Sequence, residues 1–322
     1  MTLRRATYLI CFASLAAAES ASGQSITSIT TSACSGDLRL SVMYCDQRAR
    51  EGAVDAMLRS RADASTSYHT GYNESDTSAH VDARFDGTNR TFHASASANA
   101  YAPTQQIGTL FATPHAKFRI NVHDSFRIRS KFNGDGTPLR VRFDTPTVEG
   151  HLSGDGRTFS ARLSFEYYIN DRYHYTYLVS RNQSSKFDSL IDTGSFYGSF
   201  PAGTDVELDI IVGGSADADA NNYVAGFGAN AVHSTSALDF GDTIRWGGIG
   251  AVTNAITGAP IDDWYLESSS GVRWDLASPV AAAVPEPAGY LLLSIGLGAM
   301  AACGRRRSQH QKSERLVASP SG

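Results

Sequence analysis

Short runs in which every second residue is apolar recur through the middle of this 322-residue chain, and glycine, asparagine, aspartate or proline closes each of them. Phe159, Ala161, Leu163 and Phe165 form one such run; Phe118, Ile120 and Val122, Leu139, Val141 and Phe143, and Val206, Leu208 and Ile210 form others. Successive strand side chains point to opposite faces, so a period of two buries one face and leaves the other to solvent. Breakers such as Asn133-Gly134-Asp135-Gly136 and Ser153-Gly154-Asp155-Gly156 separate the runs. Many short strands so interrupted predict a mainly β fold, an antiparallel sandwich. In residues 94–102 and 215–220 alanine alternates with serine, asparagine, tyrosine or aspartate. Strict small/polar alternation there predicts flat strands despite alanine's helix propensity.

One short N-terminal helix is expected: Asp46 is placed to cap residues 47–62, with Ala53, Val54, Met57 and Leu58 on its apolar side. Tyr167, Tyr168, Tyr173, Tyr175 and Tyr177 gather around Asn170-Asp171-Arg172, a hairpin turn by composition. Tyr173, Tyr175 and Tyr177 share a face, and an aromatic stripe of this kind packs a core or stacks on sugars.

Residues 1–23 have the layout of a signal peptide: Arg4 and Arg5, an apolar stretch to Ala18, then small residues. Export through the secretion translocon follows. Of four cysteines, Cys11 falls in this leader and Cys303 in the C-terminal apolar run, leaving Cys34 and Cys45 for the exported body. An even pair in an oxidising compartment predicts a disulfide.

The other end carries an address. Val284-Pro285-Glu286-Pro287 leads into an apolar run over residues 288–303, and Arg305-Arg306-Arg307 stops it. At about 1.5 Å per helical residue the run spans roughly 24 Å, somewhat short of a hydrocarbon core of about 30 Å. Three adjacent arginines are costly to move across a bilayer and stay cytoplasmic, which puts the body outside. Together, Pro285, Glu286, Pro287, Leu291-Leu292-Leu293, the glycines at 296 and 298, and Arg305, Arg306 and Arg307 resemble the PEP-CTERM sorting signal of bacterial surface and exopolysaccharide-associated proteins. The resemblance implies a single C-terminal transmembrane helix and an exosortase-type processing enzyme as partner. It also implies a jelly-roll-like sandwich, because residues 239–274 are similar to the closing segment of such proteins. Residues 308–322 depart from the usual pattern, which ends soon after the arginines.

The expected organisation is thus a leader (1–23), a segment with the cysteine pair and helix (24–63), a sandwich (64–278), a linker (279–287), a sorting helix (288–304) and a basic tail (305–322). Over residues 25–284, 21 Lys and Arg against 29 Asp and Glu leave a formal charge of −8, divided +3 for 25–186 and −11 for 187–284. That balance lacks the basic footprint of nucleic-acid binding.

Chemical motifs are absent: the chain holds no nucleophile elbow, phosphate loop, zinc-protease motif or dinucleotide fingerprint. Its histidines are scattered, His115 and His123 included. Asp217 and Asp219, followed by Asn221, offer oxygen ligands at period two to a calcium ion, although the glycine and glutamate of a calcium loop are missing. Asp262 and Asp263 beside Trp264 fit a glycan contact, and Trp264 equally fits a core position. No catalytic residue can be named. The expected function is a structural or interaction role in the envelope or extracellular matrix, linked to exopolysaccharide. A carbohydrate-binding module is the alternative. A secreted hydrolase is the third reading, for which a pocket with two carboxylates about 5–10 Å apart would count.

Overall fold

The computed structural model describes residues 25–37, 42–70, 73–102, 111–156, 158–182, 185–221 and 231–279. Seventeen strands account for most of them: β1 (Ile26–Asp37), β2 (Val42–Ala53), β3 (Met57–Thr70), β4 (Asn73–Asp86), β5 (Thr91–Ala102), β6 (Phe111–Ala112), β7 (His115–Ser130), β8 (Pro138–Phe143), β9 (Thr147–Gly156), β10 (Thr158–Ile169), β11 (Tyr173–Asn182), β12 (Ser185–Asp192), β13 (Phe196–Pro201), β14 (Val206–Asn221), β15 (Val232–Arg245), β16 (Ile249–Asn254) and β17 (Trp264–Ser268). The expected mainly β, antiparallel architecture is present. Among the described residues no helix is long and apolar enough to cross a membrane. The leader and the sorting helix lie outside the described residues.

The helix expected after Asp46 is replaced by the β2–β3 hairpin. Ala53, Val54, Met57 and Leu58 do fit helical spacing, but the following residues impose a period of two. Leu58, Ser60, Ala62 and Ala64 are buried, whereas Arg59, Arg61 and Asp63 are exposed. The chain turns at Val54–Ala56, where the amide of Ala56 donates to the carbonyl of Ala53. The boundary drawn between 63 and 64 falls inside β3, so the described residues 25–37 and 42–63 belong to the sandwich. The Ser153–Gly156 break is likewise strand: β15 pairs along it, and a Cβ on Gly154 would meet the Phe159 ring.

Three antiparallel sheets result. The largest runs β12-β11-β10-β14-β7-β1-β2, with β6 continuing the line of β7 and β17 continuing the line of β1. The second runs β3-β4-β5-β15-β9, and the third β13-β8-β16. The first two pack face to face on a graded core. One end is aromatic: Phe85, Phe92, Phe165, Tyr167, Trp246 and Trp274 are buried there, with Phe196 of the third sheet against Tyr167 at 5.2 Å between ring centres. The other end is alanine: Ala79, Ala98, Ala100, Ala102, Ala116, Ala161, Ala216, Ala218 and Ala220.

Small side chains let the sheets close in at the alanine end. Cα atoms of β5 and β14, on opposite sheets, come within 8 Å of one another, inside the roughly 10 Å usual for stacked sheets. Hydroxyls bridge the gap. Ser234 and Ser236 of β15 donate to the carbonyls of Thr158 and Ser160 of β10 at 2.6 and 2.7 Å, and Ser35 Oγ meets Thr77 Oγ1 at 2.6 Å. The Ala/Ser alternation is therefore the sequence signature of a narrow sheet-to-sheet gap.

Candidate functional site

Register alone assembles the site, on the outer face of the largest sheet above the alanine end. In β14, Ala216, Ala218 and Ala220 point inward, so Asp217 and Asp219 point out. Asp217 lies opposite His115 of β7 on one side and Ser160 of β10 on the other. One step along, Asp219 lies opposite Thr158, and the same register carries on to pair Ala220 with Ala112, which places Thr113 across from Asp219. The outward grid has two rows, His115–Asp217–Ser160 and Thr113–Asp219–Thr158. Pro114 interrupts the ladder between them, because proline offers no N–H; its carbonyl still accepts from the amide of Ala218.

These residues, with Met43, Phe159, Pro114 and Ala218, line a recess of about 390 Å³. Its electrostatics are unusual. Asp219 Oδ1 and Thr113 Oγ1 are both buried, and neither has a hydrogen-bond partner. Burial raises the Asp219 carboxyl above the ordinary aspartate value. Burial, then the charge of Lys117, lowers the His115 pKa below the ordinary imidazole value, against the opposing charge of Asp217. A buried acceptor without a donor is costly.

The order of residues limits the chemistry. Ser160 and His115 flank Asp217 from opposite sides, two strand spacings or roughly 9–10 Å apart. A hydroxyl nucleophile needs its base within hydrogen-bond reach, so the row forms no Ser–His relay. Asp217 and Asp219 stand two residues apart on one strand, roughly 6.5–7 Å between Cα atoms. Among the described residues no three His, Cys, Asp or Glu side chains converge as a metal site.

A smaller recess of about 280 Å³ lies on the outer face of the second sheet. There Arg59 is already paired with Asp82, and His93 Nδ1 donates to the carbonyl of Gly241.

The other sequence candidates lie elsewhere. Asp263 accepts from Ser130 Oγ at 2.6 Å and from the Phe132 amide at 2.8 Å, so it holds the turn after β7. Those bonds, Ser130 first, lower its pKa. Trp264 is half-buried against the core, and Asp262 is exposed. Tyr175 is fully buried, stacked on Tyr167 at 5.1 Å, and its hydroxyl donates to Asp192 at 2.9 Å. Cys34 and Cys45 face each other across β1 and β2 and are bonded, with Cα atoms 4.1 Å apart. Pro285, Glu286, Pro287, Arg305, Arg306 and Arg307 lie outside the described residues. Thr113, Thr158 and Ser160 carry no motif, and only strand register brings them beside the aspartates.

The fold defines an antiparallel β-sandwich with an acidic recess on one outer face, and its end carries the address. A family model described as the PEP-CTERM protein-sorting motif matches residues 283–307. The chain carries this C-terminal sorting motif, which supports an exported protein and implies processing by an exosortase-type enzyme. No curated protein and no solved structure matches the chain.

Proposed function

We propose that this chain is an envelope or extracellular-matrix protein with a non-catalytic structural or interaction role linked to exopolysaccharide. The sorting motif at residues 283–307 carries the reading. The leader takes the body, a jelly-roll-like sandwich in this reading, through the secretion translocon. The helix over 288–304 then holds it at the inner membrane with the body outside, until the exosortase-type enzyme removes the tail. The test is fractionation of wild-type cells and cells lacking the exosortase, with intact mass of each product. A shortened surface form in the first and a full-tailed membrane form in the second support the proposal. Identical full-length cytosolic products in both would overturn it.

A second reading, carbohydrate binding, is favoured by the recess, where the outward side chains of Ser160, Thr158, Asp217 and Asp219 gather with Met43 in the lining. Small-molecule sites combine an apolar lining with a few placed polar groups, and a volume of about 300–1,000 Å³ is typical. Pull-down with the producer's own exopolysaccharide tests it. Asp217 and Asp219 also project from one face, and glycoside cleavage uses a pair of carboxylates. Reducing ends are therefore measured in the same mixture; their release would replace binding with hydrolysis.

A further inference from the structure

We propose that β2 is a self-association edge: two copies of this chain pair antiparallel through it, Gln47 opposite Gln47, and join their largest sheets into one. The pairing supplies a partner, a second copy, and does not rest on a link to exopolysaccharide.

The backbone of β2 is free to pair. The Cα atoms of Cys34 and Cys45 are 4.1 Å apart, close to the roughly 4.5 Å of a non-hydrogen-bonded antiparallel pair. Cys45 therefore turns its N–H and C=O away from β1. The register with β1 is unbroken, so Met43, Gln47, Ala49 and Glu51 do the same. Among the described residues no backbone group bonds to them on that side. The neighbouring edge is closed: Asp46 Oδ2 accepts from the amide of Asp63 in β3 at 3.2 Å.

An open edge usually carries a device that keeps another strand off, such as a bulge, a proline, lysines or short length. The other described edges have one. β12 shifts register against β11, and β9 shifts against β15. β13 and β16 are six residues each. β2 runs for 12 residues without proline or lysine and without a register shift.

The charges of β2 select the partner. Two arginines, one aspartate and one glutamate leave the strand neutral, so two copies meet without net repulsion. Tyr44, Asp46, Arg48 and Arg50 share one face. With Gln47 on the twofold axis, Asp46 lies opposite Arg48 of the second copy, and Arg50 lies opposite its Tyr44; the symmetry makes each pair twice. Arg48 donates only Nε to its own Asp46, and its Nη groups are left for the second carboxylate. Tyr44 and Arg50 are exposed, and an arginine over a tyrosine ring is a favourable contact. Sliding one strand by two residues sets Asp46 against Asp46, or Arg48 against Arg48. Like charges directly opposite destabilise a ladder, so charge favours the Gln47 register over its neighbours.

The test is sedimentation equilibrium of the exported protein, disulfide intact, from micromolar to millimolar concentration. A monomer–dimer equilibrium is expected. Gln47→Pro removes an outward N–H at the axis and no bond to β1, and should raise the dimer dissociation constant at least about tenfold. Asp46→Arg and Arg48→Asp each set like charges opposite in both cross-strand pairs, and each should weaken self-association at least about tenfold. Mixing these two variants should restore a dimer, because each supplies the charge the other lacks. That recovery requires both to be folded, so it separates lost pairing from lost fold. A monomer throughout the range overturns the proposal. So does a dimer indifferent to all three substitutions, and so does a mixture of the two charge variants that stays monomeric where the parent dimerises.

Discussion

The indole N–H of Trp274 donates to Oδ2 of Asp124 at 2.6 Å across 150 positions of sequence. Asp124 is fully buried, and its carboxylate also accepts from the amide of Ser125 and from the hydroxyls of Ser25, Ser268, Ser269 and Ser270. One carboxylate thus ties the residue before β1, the middle of β7 and the chain after β17. Burial pushes its pKa up; the hydrogen bonds, Ser25 and Ser270 ahead of Trp274 and Ser269, outweigh burial and hold it below the ordinary aspartate value.

Asp124→Asn should therefore cost about 3 kcal/mol, because one acceptor becomes an NH2 group that faces fixed donors in a closed space. Trp274→Phe keeps the ring and should lose about 2 kcal/mol with the charged hydrogen bond. Urea denaturation reads both. A change below about 0.5 kcal/mol for Asp124→Asn, the range of an ordinary surface substitution, would reduce the cluster to decoration.

The same group makes the fold acid-sensitive. A carboxylate whose folded pKa is depressed stabilises above its unfolded value, near 3.9, and loses that contribution as pH falls through the folded value. The melting temperature of the parent should fall below about pH 4 more steeply than that of Asp124→Asn. Parallel curves from pH 7 to pH 2 would assign the acid transition to other carboxylates.

The alternation of Phe159, Ala161, Leu163 and Phe165 was enough to read strand, face and core. So were the hairpin at Asn170-Asp171, whose two residues adopt the positive φ that asparagine and aspartate tolerate, and the Ala/Ser strands. The 47–62 segment misled because Ala53, Val54, Met57 and Leu58 fit helical spacing, whereas the strands there are set by pairing of residues 47–53 with β1 and of 57–62 with β4. Asp124 and Asp219 show the deeper limit. Their partners come from strands far apart in sequence, and nothing local separates a buried aspartate with six donors from one whose buried oxygen has none.

The graded core predicts opposite responses at its two ends. Ala98→Leu inserts three carbons where hydroxyls of one sheet already reach carbonyls of the other, and overpacking should cost about 1–3 kcal/mol or more. Phe165→Ala at the wide end leaves a cavity among Phe92, Tyr167 and Tyr175 and should cost about 3–5 kcal/mol. Denaturation midpoints of the two variants check the gradient. An Ala98→Leu protein as stable as the parent would mean that the sheets are not held close there.

The Cys34–Cys45 bond should act locally. Among the described residues β2 pairs with β1 alone, and most of its residues are exposed on both faces. β1 is flanked by β7 on its other side and buries Ile29 and Ala33 in the core. Closing a loop of this size contributes about 2–3 kcal/mol in the chain-entropy model. Much of that should reside in holding β2, whose own packing is slight. The exported protein should therefore carry no alkylatable thiol at Cys34 or Cys45 before reduction. After reduction, amides of residues 42–53 should exchange faster while those of β7 keep their protection. Uniform loss of protection across both strands would instead make the bond a condition of the whole sandwich.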